Sequence, residues 1–205
     1  QLYEYKYLAR PYELKPRLAE GMPEVSEDGL VYRFKIKEGI RYADDPCFPD
    51  GIGREVVVDD LIYAFKRMFD PKNLPQGEWL WQGKIKGLDE WKAAGSDYSK
   101  PVEGLKALDK YTLQITLNQP FPQLVYTLAM GYSSFVPREA VEHYGKQFGL
   151  NPVGSGPYRL VSFSTKKATV ARNENYREEY FDLEHEGYDP ETQGWANLEK
   201  LEGKR

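Results

Sequence analysis

The residues best suited to chemistry are few and scattered along this sequence. Its two histidines, His143 and His185, belong to no set spaced for metal ligation, so a surface or structural position is favoured for each. Ser155 lies between two glycines, where a nucleophile could sit, but Pro157 would block the helix that a nucleophile elbow must enter. An acyl-transfer enzyme using Ser155 is kept as an alternative of a different class.

Two glycine-containing loops do not fit metal or nucleotide sites either. Asp44–Gly51 resembles a calcium loop, but placing Gly51 at the sixth position puts Pro46 and Phe48 where side-chain ligands are needed. Gly51 and Gly53 lack the third glycine and the strand-to-helix setting of a dinucleotide site. The sequence therefore predicts no catalytic residue, no metal and no cofactor.

Composition narrows the class of protein further. The net charge is −4, and no basic run suggests a nucleic-acid partner. The stretch from Glu174 onwards is acidic and is expected to be a solvated surface segment. A single cysteine, Cys47, excludes an internal disulfide and a multi-cysteine metal site, and it is expected to be an ordinary free thiol. No apolar run approaches the ~18–20 residues of a membrane span.

The elements that would position any site are clearest between Leu18 and Pro71. Asp28-Gly29 is a turn signal, and period-two alternation after it predicts a strand whose apolar face comprises Leu30, Tyr32, Phe34 and Ile36. An apolar stripe then predicts a helix that Asp59 or Asp60 caps, with the stripe made of Leu61, Ile62, Phe65, Met68 and Phe69. Lys66 and Arg67 fall in its last turn, where they suit the helix dipole.

Further elements follow along the chain. Glycines predict a broken helix in the segment Gln76–Gly95, and alternation predicts the strand Tyr111–Leu117 after a turn at Asp109-Lys110. Short helices are predicted from Pro122 to Met130, with Gly131 as the stop, and from Pro137 to Gly145. Two more strands are predicted at Tyr158–Phe163 and Ala168–Arg172.

Two long motifs carry a family resemblance. LAEGMPEVSEDGLVYRFKIKEGIRY is followed by VVVDDLIYAFKRMFDP, and NPVGSGPYRLVSF begins at Asn151. Together they resemble the extracellular solute-binding proteins of bacterial ABC importers, in the group that carries oligopeptides, dipeptides and nickel. The resemblance implies an α/β fold of periplasmic-binding-protein type II, with a mixed sheet and flanking helices. Since such proteins are longer and two-lobed, the chain is expected to be a lobe-I fragment, with residues 1–150 as its smaller subdomain and 151–205 returning into the main sheet before an irregular acidic tail.

The resemblance also implies a function. Such a protein captures small peptides by closure of two lobes and delivers them to a membrane permease, without catalysis. A monomer outside the cytoplasmic membrane is expected, periplasmic or extracellular, with a signal peptide upstream of this chain and a lipid anchor as one option. Nickel-chelate or oligosaccharide binding on the same fold remains an alternative. A stand-alone module whose exposed aromatic residues bind a protein partner is another.

The resemblance places the connector Met130–Phe135 close to the ligand cleft. Within it, Tyr132 offers an amphipathic ring and Ser133 and Ser134 offer hydroxyls, a suitable mixture for a cleft wall. The alternative is an ordinary helix–helix loop. Trp79 and Trp81 are second candidates, and core packing is the competing interpretation for both. The charged residues that anchor peptide termini are expected mostly in the other lobe.

Overall fold

The computed structural model describes residues 1–73, 76–194 and 197–204. Its strands, in chain order, are β1 (Tyr3–Tyr5), β2 (Leu14–Pro16), β3 (Glu24–Val25), β4 (Val31–Lys35), β5 (Leu105–Ala107), β6 (Thr112–Thr116), β7 (Tyr158–Phe163) and β8 (Ala168–Arg172). Its α-helices are α1 (Val58–Phe69), α2 (Leu88–Ala93), α3 (Leu124–Thr127) and α4 (Arg138–Tyr144). In the described ranges, no helix is both long and apolar enough to cross a bilayer.

The central sheet has four strands in the order β3-β4-β6-β5, while β1 with β2 and β7 with β8 form two-stranded sheets. This confirms the α/β class. The expected mixed sheet is not found among the described strands, because every pair of neighbours is antiparallel. The physical reason is the position of β6. It lies between β4 and β5, which run in the same direction, so no two parallel strands are adjacent.

The turn before β4 forms as predicted. Gly29 has a φ of 68°, and the Asp28 carboxylate accepts hydrogen bonds from the Ser26 hydroxyl at 2.5 Å and the Leu30 amide at 3.0 Å. Along β4, Tyr32 and Phe34 are buried and pair in register with Ile115 and Leu113 of β6. The alternating residues thus form one apolar face of the sheet, and another element must pack against this face to bury it.

Helix α1 supplies that layer. Its Phe65 side chain is buried, and the ring meets Trp81 edge to face with centroids 5.0 Å apart. Phe65, Tyr32 and Phe34 belong to one continuous hydrophobic core. The predicted cap needs correction, because the N-cap residue is Val57 and Asp60 lies in the first turn of the helix. The Asp60 carboxylate accepts the Val57 amide at 3.1 Å, which is the returning half of a capping box.

The segment 76–95 is broken as predicted, into a 3-10 turn at Glu78–Leu80 and α2. Gly83 and Gly87 adopt φ values of 71° and 76°, which no α-helix can include. The helix predicted from Pro122 to Met130 is shorter than expected, since α3 covers only Leu124–Thr127. Gly131 lies beyond the end of α3 and is not its stop residue. It is the first residue of a 3-10 turn, Gly131–Ser133, which changes the direction of the chain.

Arg54 joins three parts of the chain at one point. Its guanidinium donates to both carboxylate oxygens of Asp60 in α1, at 2.6 and 2.9 Å, and to both of Glu139 in α4, at 2.5 and 2.8 Å. Burial opposes the charge on Arg54, but these two carboxylates outweigh it and raise the pKa of the guanidinium. The hydrogen bond from Arg54 lowers the pKa of Glu139. The starts of α1 and α4 are therefore held together electrostatically.

The acidic segment after β8 contains one 3-10 turn, Leu198–Lys200, and no strand or α-helix in its described residues. Irregular structure was expected, but the expectation of a purely solvated segment is wrong at Glu186. This side chain is buried in an ion pair with Lys15 of β2, and its backbone carbonyl accepts the Leu8 amide at 3.0 Å. Pairing with a buried lysine lets an acidic residue leave water, so the segment is fixed to the first hairpin.

Phe65→Ala is predicted to lower the free energy of unfolding by about 3–5 kcal/mol, because it empties an aromatic site between the sheet and Trp81. Denaturant unfolding measures the loss, and Phe163→Ala is the matched control because Phe163 is exposed on β7. The control should lose less than about 1 kcal/mol. An equally small loss for Phe65→Ala would contradict the assignment of this residue to the core.

Arg54→Met is predicted to cost about 3–5 kcal/mol at neutral pH, since it leaves the buried Asp60 carboxylate without its cation. The control is Arg138→Met, which removes an exposed pair with Glu142 and should cost at most about 1 kcal/mol. Because the pKa of Glu139 is lowered in the folded state, its ion pair with Arg54 stabilises the fold fully above the ordinary carboxyl pKa of 4.5. This stabilisation is lost progressively as the pH falls below 4.5. The gap between wild type and Arg54→Met should narrow in that range, and a gap that widens would rule out the pair.

Candidate functional site

A groove of about 280 Å³ lies between the last turn of α1 and the connector from α3 to α4. Apolar atoms come from Ala64, Met68 and Val136, and amide groups come from Asn73 and Gln76. The remaining lining residues are Arg67, Gly77, Gly131, Tyr132 and Ser134. The structure therefore puts two of the five predicted ligand-binding residues, Tyr132 and Ser134, into one concave surface.

The Tyr132 ring rests against the backbone of Gly77. A Cβ atom at position 77 would lie 2.5 Å from Cδ1 and 3.0 Å from Cγ of the ring, which is closer than real side chains come. Only glycine leaves room for the ring there. One side of Tyr132 is thus supported, while 43% of the residue stays exposed to the groove and the solvent.

The two serines of the connector differ. The Ser134 hydroxyl donates to the Gly131 carbonyl at 2.7 Å and remains at the groove. Ser133 is only 1% exposed, and its hydroxyl donates to the Thr127 carbonyl at 3.1 Å, which also accepts the Met130 amide at 3.1 Å at the end of α3. The proposed ligand contact of Ser133 is therefore corrected, since its side chain serves the turn.

The two tryptophans also separate. Trp81 is fully buried against Phe65, so the core interpretation holds for it and the ligand-binding interpretation is corrected. The 3-10 turn Glu78–Leu80 precedes Trp81 and contains Trp79. This turn directs the Trp81 ring into the core and leaves the Trp79 ring at the surface. Trp79 is 63% exposed, but it is absent from the described lining of the groove. Ligand binding by Trp79 therefore stays a prediction, and it would occur outside this groove.

The second motif meets the connector at a smaller pocket of about 170 Å³. Ser134 and Phe135 line this pocket together with the segment Gly154–Gly156. The Ala43 amide donates to the Gly154 carbonyl at 2.9 Å, so the irregular loop after β4 holds the second motif in place. Motifs far apart in sequence are therefore assembled around the same connector.

Ser155 lacks an activating partner in the part of the chain that the structure describes. Within residues 1–73, 76–194 and 197–204 its hydroxyl makes no hydrogen bond to a histidine or a carboxylate, such as would activate it for acyl transfer. His143 and His185 are both exposed, and His143 contacts the Tyr144 ring. The acyl-transfer alternative thus lacks its general base in this part of the chain.

Two of the three carboxylates of the calcium-like loop, those of Asp44 and Asp45, accept hydrogen bonds within the protein. Asp44 accepts the Gly53 amide at 2.8 Å and the Asn175 side chain at 2.6 Å, and Asp45 accepts the Tyr144 hydroxyl at 2.9 Å. The residues that the structure describes contain no group of His, Cys, Asp and Glu arranged to hold a metal ion. Burial raises the pKa of Cys47 to about 12, so its thiol stays protonated at neutral pH.

The electrostatics of the groove depend on a residue that the sequence-based reasoning assigned only to the helix dipole. Arg67 carries the single formal charge among the described lining residues. Lys66, its neighbour, points elsewhere and donates to the carbonyls of Tyr98 and Lys100, at 3.2 and 2.7 Å. Burial lowers the pKa of Lys66. Neither orientation could be read from sequence, because both residues fall in the same helical turn.

Comparison with known proteins gives relatives over most of the chain. Residues 13–196 match the family of bacterial extracellular solute-binding proteins, family 5, Middle. The oligopeptide-binding protein AmiA of Streptococcus pneumoniae is 34% identical over 172 residues, which are 80% of this chain and 25% of AmiA. The glutathione-binding protein GsiB of Shigella flexneri is 31% identical over 157 residues, which are 77% of this chain and 25% of GsiB.

Solved structures show the same fold. The structure of Listeria monocytogenes OppA bound to peptide superposes with a TM-score of 0.70 at 26% identity, covering 85% of this chain and 33% of OppA. The chain thus spans about a quarter to a third of the length of these relatives. The chain belongs to the family 5 bacterial extracellular solute-binding proteins, which are non-enzymatic components of transporters.

Proposed function

We propose that this chain forms one wall of the ligand cleft in the substrate-binding component of an ABC importer for oligopeptides or dipeptides. The observation that carries the proposal is the groove at the connector, where Tyr132 is held against Gly77 and Ser134 lies beside it. A rigid aromatic ring with nearby hydroxyl and amide groups suits a peptide, whose backbone needs hydrogen bonds and whose side chains need apolar contact. AmiA and OppA, which are named for oligopeptides or bound to peptide, support this ligand class.

We infer that residues 1–150 form the smaller subdomain of lobe I and that the chain from Asn151 enters the larger sheet of that lobe. This inference is supported by the pairing of β7 and β8, which form hydrogen bonds only with each other among the described strands. Their apolar side chains are exposed, including Tyr158, Val161, Phe163 and Val170. A two-stranded sheet with apolar residues in water is marginal alone, so further strands from the complete protein would cover it.

The mechanism follows from two-sided burial. A second lobe would close over the peptide, exclude water and present the closed form to a membrane permease, with no bond made or broken. The complete protein would act as a monomer in the periplasm or outside the cell, after removal of a signal peptide or on a lipid anchor. Nickel-chelate or oligosaccharide ligands are the alternatives on the same fold. A stand-alone module that binds a protein partner would need no second lobe.

Gly77→Ala is predicted to displace the Tyr132 ring and to weaken peptide binding by about tenfold, since the added methyl overlaps the supported side of the ring. Gly149→Ala is the matched control, because nothing lies within 4 Å of a Cβ added there. Tyrosine ring resonances in ¹³C NMR report the displacement, and calorimetry on the complete protein reports the affinity. Unchanged Tyr132 resonances and unchanged affinity would contradict the role of this contact.

The 205-residue chain alone is predicted to bind peptides in the millimolar range or weaker. It offers one wall of the cleft, and each charge-assisted hydrogen bond lost with the other wall costs about 1.5–3 kcal/mol, where 1.4 kcal/mol is tenfold in affinity. Titration calorimetry compares this chain with the complete gene product, using one peptide library and nickel chelates. Micromolar binding by the chain alone would show that the two-lobe account is wrong.

A further inference from the structure

Arg67 has no carboxylate partner among the residues that the structure describes. It lies in the last turn of α1, lines the groove and is half-buried, and its Nε atom is buried with no hydrogen-bond partner. The other half-buried arginines in the described ranges each have a carboxylate within 4 Å, at Glu4 for Arg17, Asp60 for Arg54 and Glu179 for Arg177. Leaving a buried donor unpaired costs free energy, so Arg67 is poised to gain from an acceptor.

The surroundings of Arg67 hold its side chain without using its donors. The Phe148 ring lies 4.9 Å from Cζ, in a cation–π contact. Such a contact is an electrostatic attraction between the cation and the ring, and it uses none of the N–H groups of the guanidinium as hydrogen-bond donors. Asn73 donates to the backbone carbonyl of Arg67 at 2.9 Å, which fixes the following loop against the end of α1. The guanidinium is thus held at an aromatic ring and lines the groove, while the described residues give it no hydrogen-bond acceptor.

Apart from Arg67 itself, the described residues that line the groove are apolar or uncharged polar. None of its described lining residues is acidic, and the uncharged polar groups are those of Asn73, Gln76, Tyr132 and Ser134. A planar guanidinium with amide and hydroxyl groups nearby is the donor set that binds a carboxylate with two parallel hydrogen bonds. At about 280 Å³ the groove is at the small end of ligand sites, which suits one end or one side chain of a peptide.

We propose that Arg67 binds a carboxylate of the peptide ligand in this groove, and that the groove thereby selects peptides with a negative charge at that position. The inference rests on the proposed peptide function, because it assigns a specificity to the same surface. It also puts one charged anchor in this chain, whereas the anchors were expected mostly in the other lobe. The carboxylate could be the peptide's C-terminus or an acidic side chain, and the two sources are separable by experiment.

Calorimetry on the complete gene product provides the test, with the peptides Ala-Glu-Ala, Ala-Gln-Ala and amidated Ala-Gln-Ala. If the C-terminus is bound, amidation weakens binding about 10- to 100-fold, and if the side chain is bound, exchange of Glu for Gln does so. Arg67→Gln should remove that difference between peptides, and Arg67→Lys should keep part of it. Arg33→Gln is the control, because Arg33 lies on the solvent side of β4 beside Gln114.

Thermal unfolding of each variant shows whether the fold survives. Arg67→Gln with wild-type affinity and wild-type discrimination would overturn the inference and leave the peptide function standing. If the wild-type protein binds none of the three peptides, the proposed function fails for this ligand class. The subsite is then tested with acetate, by following the Arg67 Nε–H resonance in ¹⁵N NMR. The loss of that signal in Arg67→Lys assigns it to Arg67. Its shift on addition of acetate supports the anion site, and no shift at high acetate concentration refutes it.

Discussion

The two-sided ion pair of Arg54 is the interaction on which the position of the groove depends. Its guanidinium binds Asp60 in the first turn of α1 and Glu139 in the first turn of α4, which fixes the two helix starts against each other. The connector that carries Tyr132 runs directly into α4, and the Val136 amide approaches the Asp60 carbonyl at 3.5 Å. A change in this pair would alter the separation between the two sides of the groove.

The loop that supplies Arg54 is itself fixed by close backbone contact. A Cβ atom on Gly53 would lie 2.1 Å from the Tyr42 carbonyl oxygen, so only glycine allows the backbone at position 53 to approach the backbone of Tyr42. The same loop holds the second motif, through the bond between Ala43 and Gly154. One irregular segment therefore organises the helix pair, the connector and the second motif. Its role is to position the binding surface.

The sequence predicted what depends on local pattern. The bounds predicted for β7 and β8 agree with the structure, and the buried stripe of α1 follows from helical spacing. Contacts between distant residues were not predictable. The sequence around Gly77 does not indicate that the Tyr132 ring packs against it. Trp79 and Trp81 are two residues apart, yet the first is exposed and the second is buried. That no described residue offers Arg67 a carboxylate was likewise not predictable, because its helical turn has the sequence of an ordinary basic helix end.

Photo-cross-linking tests the central claim that this surface contacts ligand. A peptide with a benzophenone side chain would be bound to the complete protein and irradiated, and mass spectrometry would locate the adducts. The account predicts adducts on the groove, at Met68, Gly77, Tyr132 or Val136, and their suppression by an excess of unlabelled peptide. Competed adducts in this chain that fall only outside the groove, or their absence from this chain altogether, would contradict the assignment of the cleft wall.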